Sequence, residues 1–239
     1  MNLVRSALTS ATLSAAAGYW TAMSSYSQAF GDFPYRGPRT GRTIALTFDD
    51  GPNEPYTSQV ADILRAHDIP ATFFQVGRCV QRHPAVSRQL IADGHVIGGH
   101  SYSHAFHLGW RPADQRREVA AGNRVIDQVL GRSPGLYRPP WLIRTPALLS
   151  VLAHSGVQVV SGEFCHAFEV AQPAAERIAR RALAKAKPGA MIIFHDGFDA
   201  RGGDRSQTVQ AVRLVVRALR RDGYEFTTVD RLLGVPAYL

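Results

Sequence analysis

At 239 residues, with 45% hydrophobic and 19% charged side chains, the chain has material for one full core and too much of it for wholesale disorder. Its formal charge of +8 points to an anionic neighbourhood such as a cell wall or a membrane surface. No basic run interleaves with aromatics, and Arg213, Arg217 and Arg220 alternate with Val209, Val212, Val216 and Leu219 at helical spacing, which argues against a nucleic-acid partner.

The chain opens with Arg5 and a mildly apolar stretch from Ala7 to Ala17, diluted by Ser and Thr and too short to span a bilayer. Its layout suits a secretory signal or weak anchor as well as a flexible or helical tail. Ser, Gly and Pro from Ser24 to Gly41 read as a lead-in, so the expected division is 1–41 lead-in and 42–239 folded domain. Thr43–Phe48 is the first predicted strand, followed by a helix over Pro55–His67 with Val60, Ile63 and Leu64 on one face. Ala71–Val76 is a second strand, ended by Gly77. Helix Pro84–Ala92 and strand His95–Gly99 come next, then a long helix over Pro112–Leu130 closed by Gly131. Leu136–Tyr137, helix Thr145–His154, strand Val157–Val160 and helix Pro173–Ala186 lead to the fully apolar strand Ala190–Phe194. Helix Ser206–Arg221 and strand Tyr224–Val229 complete the series. Strands alternating with helices, several of them continuously apolar, predict a parallel sheet buried on both faces. Seven such units suit a distorted (β/α) barrel better than a doubly wound sheet.

Asp49, Asp50, His100, Arg138 and His195 each fall at the C-terminal end of a predicted strand, where parallel α/β folds build their sites. Adjacent carboxylates repel unless something positive divides their roles. His100 and His104, four residues apart, make with Asp50 a two-His, one-carboxylate set with room for substrate. Such a set holds a catalytic divalent cation, zinc first, with iron, cobalt or manganese as alternatives. Asp49 is then the base that takes a proton from the attacking water, and His195, across the mouth, the acid for the leaving group. Arg138, held extended by two prolines, orients Asp49 or binds an anionic substrate group. The set describes hydrolysis of an amide or ester. Cys79 and Cys165 show no metal spacing and read as two buried thiols.

Thr47-Phe48-Asp49-Asp50-Gly51-Pro52, His100-Ser101-Tyr102-Ser103-His104, Arg138-Pro139-Pro140-Trp141 and Ile192-Ile193-Phe194-His195 together resemble the polysaccharide deacetylase family, the group-four carbohydrate esterases. The Asp204–Thr208 run is also similar, and the resemblance spans about Thr43 to Val229. It implies a seven-stranded distorted barrel and metal-dependent removal of acetyl groups from N-acetylated sugars. It gives Asp49 as base, steadied by Arg138, Asp50, His100 and His104 as metal ligands, and His195 as acid. The backbone around Trp141 would belong to the oxyanion hole. One departure stands out: the family's fourth motif supplies an Asp that tunes the acid, followed by an aromatic in the acetyl pocket. Here the strand leads into Ser161-Gly162-Glu163-Phe164, and Glu163 with Phe164 is the candidate replacement. The expected substrate is peptidoglycan or a chitin-like polymer outside the cytoplasm, for a secreted or envelope-associated enzyme. The rivals are an O-acetyl esterase or non-peptide amide hydrolase on the same site, and a non-catalytic glycan-binding relative.

Overall fold

A computed structural model of the chain describes residues 17–105, 111–153 and 155–239; the stretch through Ala16, with His107 and His154, lies outside them. The central strand β1 (Thr43–Asp49) is buried along all but its first residue. It runs between β2 (Thr72–Gln75) and β7 (Met191–His195), with parallel pairing on both sides. The remaining strands are β3 (Val96–Gly99), β4 (Leu136–Tyr137), β5 (Gln158–Val159), β6 (Glu163–Phe164) and β8 (Glu225–Phe226). The order β5-β4-β3-β2-β1-β7-β6 gives seven parallel strands, and β8 joins β1 at Thr43 and Ile44. This is the curled, incomplete barrel that the alternation of apolar strands and helices predicts.

Burial on both faces explains the apolar strand sequences. Phe48 stacks between Phe73 and Phe194, with ring centroids 4.8 and 5.8 Å away. Outside the sheet, α8 (Ser206–Arg221) buries Val209, Val212, Val216 and Leu219 and packs on α2 (Tyr56–Arg65) and α7 (Ala175–Lys185). Arg213, Arg217 and Arg220 lie on its exposed side, the solvated face expected from their spacing. In α5 (Pro112–Leu130), Pro opens the first turn and Gly131 closes the helix at a left-handed φ of 69°. In α6 (Pro146–Leu152), the Thr145 side chain caps the Leu148 N–H.

The strand path ends at β5 and β6, which are joined by only three residues, and the chain's N-terminal part fills this seam. Residues 17–23 form α1. Phe33 is buried with Tyr137, Leu148, Leu152, Val157 and Val159. The Pro34 carbonyl accepts the Ser161 N–H at 2.8 Å, and Arg36 bridges antiparallel to Ala190.

Three local expectations differ. Gly77 opens a helix, α3 (Gly77–Arg82), rather than ending a strand: its N–H bonds the Ser101 carbonyl, and a Cβ there would strike Gly122. Strand β6, only two residues long, carries no periodic signal. The end of the predicted last strand coils into α9 (Val229–Leu233) after α4 (Pro84–Ala92) and β3 have followed their predicted bounds closely. Cys79 and Cys165 are buried, free thiols. Among the described residues, no helix is long and apolar enough to cross a membrane.

Candidate active site

The strand ends converge as their positions in the sequence suggest. Asp49 ends β1 and His195 ends β7, and the two are register partners on adjacent parallel strands. Acid and base candidates therefore come from neighbouring strands, not from opposite sides of the mouth. Asp50, His100 and Arg138 each follow directly on a strand. The turn after β1 depends on small residues: a Cβ on Gly51 would sit inside the Asp196 carboxylate, and one on Gly197 would collide with the Asp50 carbonyl. Asp50, His104 and Trp141 carry φ of 74°, 57° and 50°, backbone that costs about 1–3 kcal/mol each and collects where a site must aim its groups.

Arg138 has no solvent exposure. It donates to Asp49 Oδ1 at 2.7 Å, Thr47 Oγ1 at 2.8 Å and the Ser161 carbonyl at 2.8 Å, with Phe74 beneath its guanidinium at 4.1 Å. Burial draws its pKa down against the opposing pull of Asp49. Of the two readings of Arg138, the structure places it on Asp49, beneath the cleft. Its hold is on Oδ1, so Oδ2 is left out of this pair.

Asp50, His100 and His104 offer one ligand atom each, all within 4.8 Å of one another, and all three residues are buried. Both Nε2 atoms point at Asp50 Oδ1, from 3.2 Å for His100 and 3.0 Å for His104. His100 Nδ1 lies 2.7 Å from the Arg138 carbonyl, an acceptor that calls for the proton on Nδ1 and so suits Nε2 for ligating a cation. His104 Nδ1 lies 3.1 Å from Asp199 Oδ1, off the line of a good hydrogen bond. Burial works against charge on Asp50 and on His104. The pair overrides it, holding Asp50 well below the carboxylate range and pushing His104 up to about 10. The site thus calls for one positive charge beside Asp50, which a divalent cation replacing the His104 proton would supply. Two imidazoles and a carboxylate with an open side fit such an ion.

His195 is held by a residue the sequence does not reveal. Its Nδ1 lies 2.5 Å from Glu169 Oε2, and Glu169 is 1% exposed. Burial alone would lower the imidazole pKa, but Glu169 outweighs it and pushes His195 up to about 9. Glu163 does not play this part. Along a strand side chains alternate, so Phe164 faces the mouth and Glu163 faces away. Glu163 binds Arg36 at 2.6 Å and the Tyr26 hydroxyl at 3.0 Å. Phe164 stacks on His195 with rings 7° from parallel and centroids 6.0 Å apart. Glu169 sits on the 3-10 turn Glu169–Ala171 and accepts the Thr208 hydroxyl at 2.5 Å. Gln172 accepts the Gln207 and Thr208 N–H groups, and Arg205 donates to the Val170 carbonyl. The Asp204–Thr208 run therefore fixes the turn that carries Glu169. Asp196 takes no part in holding His195; it accepts the Thr57 hydroxyl instead.

These groups line a cleft of about 310 Å³, closed in by Trp141, Leu142, Phe164 and Phe198. The Trp141 ring packs on His104 at 4.2 Å. Asp49, His195 and the Asp50, His100 and His104 cluster share this one space, an arrangement with which a metal-assisted hydrolysis can be carried out.

Deacetylases are among the proteins to which this chain is similar. The polysaccharide deacetylase family matches residues 36–160. The chain belongs to that family. A peptidoglycan-N-acetylglucosamine deacetylase of Bacillus cereus is 34% identical over 197 residues, 82% of this chain and 90% of that protein. A chitooligosaccharide deacetylase of a Bradyrhizobium species is 34% identical over 200 residues, 80% of this chain and 90% of that protein. In structure, the chain is similar to a peptidoglycan N-acetylglucosamine deacetylase solved with a hydroxamate-type benzamide, with a TM-score of 0.79 at 24% identity, covering 86% of this chain and 94% of that one. That likeness speaks for the fold. The chain is accordingly a hydrolase of a metal-dependent polysaccharide deacetylase family.

Proposed function

We propose that this enzyme hydrolyses the N-acetyl groups of an N-acetylglucosamine polymer, peptidoglycan or a chitin-like glycan, releasing acetate and a free amine. The observation that carries this reading is the placement of Asp49 and His195 on register-paired strand ends beside Asp50, His100 and His104. Residues 42–239 carry the catalytic fold.

Asp50, His100 and His104 would hold a divalent cation, zinc first by its donor set, with cobalt, iron or manganese as alternatives. When bound, it would polarise the attacking water and the scissile carbonyl. Asp49, pinned through Oδ1 by Arg138, accepts the water's proton at Oδ2 as the C–O bond forms. The Trp141 main-chain N–H receives the charge that develops on the carbonyl oxygen, since the Leu142 and Ile143 N–H groups donate to the Pro139 and Pro140 carbonyls. His195, kept protonated by Glu169, delivers its Nε2 proton to the amide nitrogen as the C–N bond breaks. Phe164, parallel to His195 at a centroid distance of 6.0 Å, walls the acetyl end of the cleft.

Such polymers lie outside the cytoplasm, so we place the enzyme at the cell envelope or beyond it, where a charge of +8 suits anionic wall material. Comparing acetate release from N-acetylglucosamine oligomers and from acetylated xylan tests the bond assignment. Faster release from the amide is expected, and faster release from the ester would overturn it.

A further inference from the structure

The N-terminal residues do more than fill the barrel seam. Helix α1 presents Tyr19 and Met23, four residues apart and so on one face, to the same cleft as Asp49, His104 and His195. Tyr19 is 63% exposed, a large apolar side chain open to solvent at the edge of the cleft.

The placement of α1 rests on a buried arginine. Arg144 is 2% exposed and has no carboxylate partner among the described residues. Its guanidinium donates to the carbonyls of Ser24 and Ser27, and its own N–H to the Ala22 carbonyl at 2.8 Å. Beneath it, at 5.1 Å, lies Phe33 of the same segment. These carbonyls lie at and just beyond the C-terminal end of α1, where a cation is favoured. A buried guanidinium with only these partners would be stranded if the segment left. Ser161 strengthens the joint: its hydroxyl donates to the Ser25 carbonyl at 2.8 Å, while its own carbonyl receives Arg138, the residue that holds Asp49.

We propose that residues 17–27 form one wall of the substrate cleft, that Tyr19 with Met23 stacks on a sugar ring next to the one being deacetylated, and that Arg144 is the positioning residue that locks this wall. The proposal rests on the deacetylase reading above. Its occupant is an oligomer of N-acetylhexosamine, whose rings present flat apolar C–H faces to an aromatic and whose flanking hydroxyls reach solvent.

The test compares Tyr19→Ala, Met23→Ala and Arg144→Met with the wild type on N-acetylglucosamine dimer and tetramer. The Tyr19 and Arg144 variants are expected to lose about five- to tenfold in kcat/KM on the tetramer, carried by KM, so that the preference for tetramer over dimer collapses. Arg144→Met should also open the segment before residue 36 to limited proteolysis. Titration calorimetry of the tetramer into Asp49→Asn protein, with and without Tyr19→Ala, separates this proposal from the deacetylase reading. Weaker binding in the double variant supports the wall even if no glycan yields acetate. Equal affinity with and without Tyr19, an unchanged tetramer KM, or no tetramer binding by either protein overturns it.

Discussion

Glu169→Gln removes the charge that keeps His195 protonated while keeping the shape of the side chain. His195 stands at about 9 in the folded protein against 6.5 for an ordinary imidazole, which corresponds to about 3 kcal/mol. The imidazole is only 13% exposed, so solvent screening takes little of this away. With Glu169 neutral, burial is the strongest remaining influence, opposed only by Asp50 and Asp49, and His195 falls back toward its ordinary value. Asp50 and Asp49 raise it less than Glu169 does. The wild type should keep its rate into the alkaline range and lose it through about 9, whereas the variant should lose it by about 6.5. At pH 8 the protonated fraction falls from about nine-tenths to about three-hundredths, a loss of about thirtyfold. The assay is the pH profile of kcat/KM for acetate release, with Glu169→Asp as the conservative control. An alkaline limb that stays where it was in Glu169→Gln would refute the assignment of Glu169 as the residue that tunes the acid.

The same pair sets a stability slope. His195 takes its proton more tightly when folded, so its contribution is complete below pH 6.5 and is lost as pH rises through about 9. Melting curves across that window should show the decline in the wild type and not in Glu169→Gln. Thr208→Val deprives Glu169 of its hydroxyl donor, and a smaller downward shift of the alkaline limb, under one pH unit, is expected from the pH profile. Arg138→Met strands the buried Asp49 charge and should cost about 3–5 kcal/mol, read as a fall of about 10 °C in Tm. Chelation followed by zinc at a hundredfold over its Kd should stabilise the protein by about 2.7 kcal/mol, and Asp50→Asn should abolish that gain in the same melting experiment.

How far the site is legible in the sequence depends on what fixes each residue. Asp49, Asp50, His100, Arg138 and His195 stand where a parallel strand meets its loop, so locating the strands locates the mouth. Their pairings follow from the register of β1 with β7 and from the two prolines after Arg138. Glu169 gives no such signal. It lies on a short 3-10 turn, and its partner Thr208 is 39 residues further along the chain, so only the folded packing brings it to His195. Glu163, the acid that closely follows the fifth predicted strand, sits on a strand whose alternation turns it away. The N-terminal wall is hidden for a related reason: α1 lies in a Ser- and Ala-rich stretch, and its place is set by Arg144, 117 residues after Ser27. Strand β6 is too short for periodicity to show it.

We propose that Asp49, with a cation on Asp50, His100 and His104, hydrolyses an N-acetyl group. The most direct test is acetate release from N-acetylglucosamine oligomers and from peptidoglycan, using protein stripped of metal and then given zinc or cobalt, for wild type and Asp49→Asn. Acetate is expected only from metal-restored wild type, with Asp49→Asn reduced by at least about a hundredfold. Acetate released equally well by Asp49→Asn, or none released by wild type with any metal while oligosaccharide still binds, would contradict it.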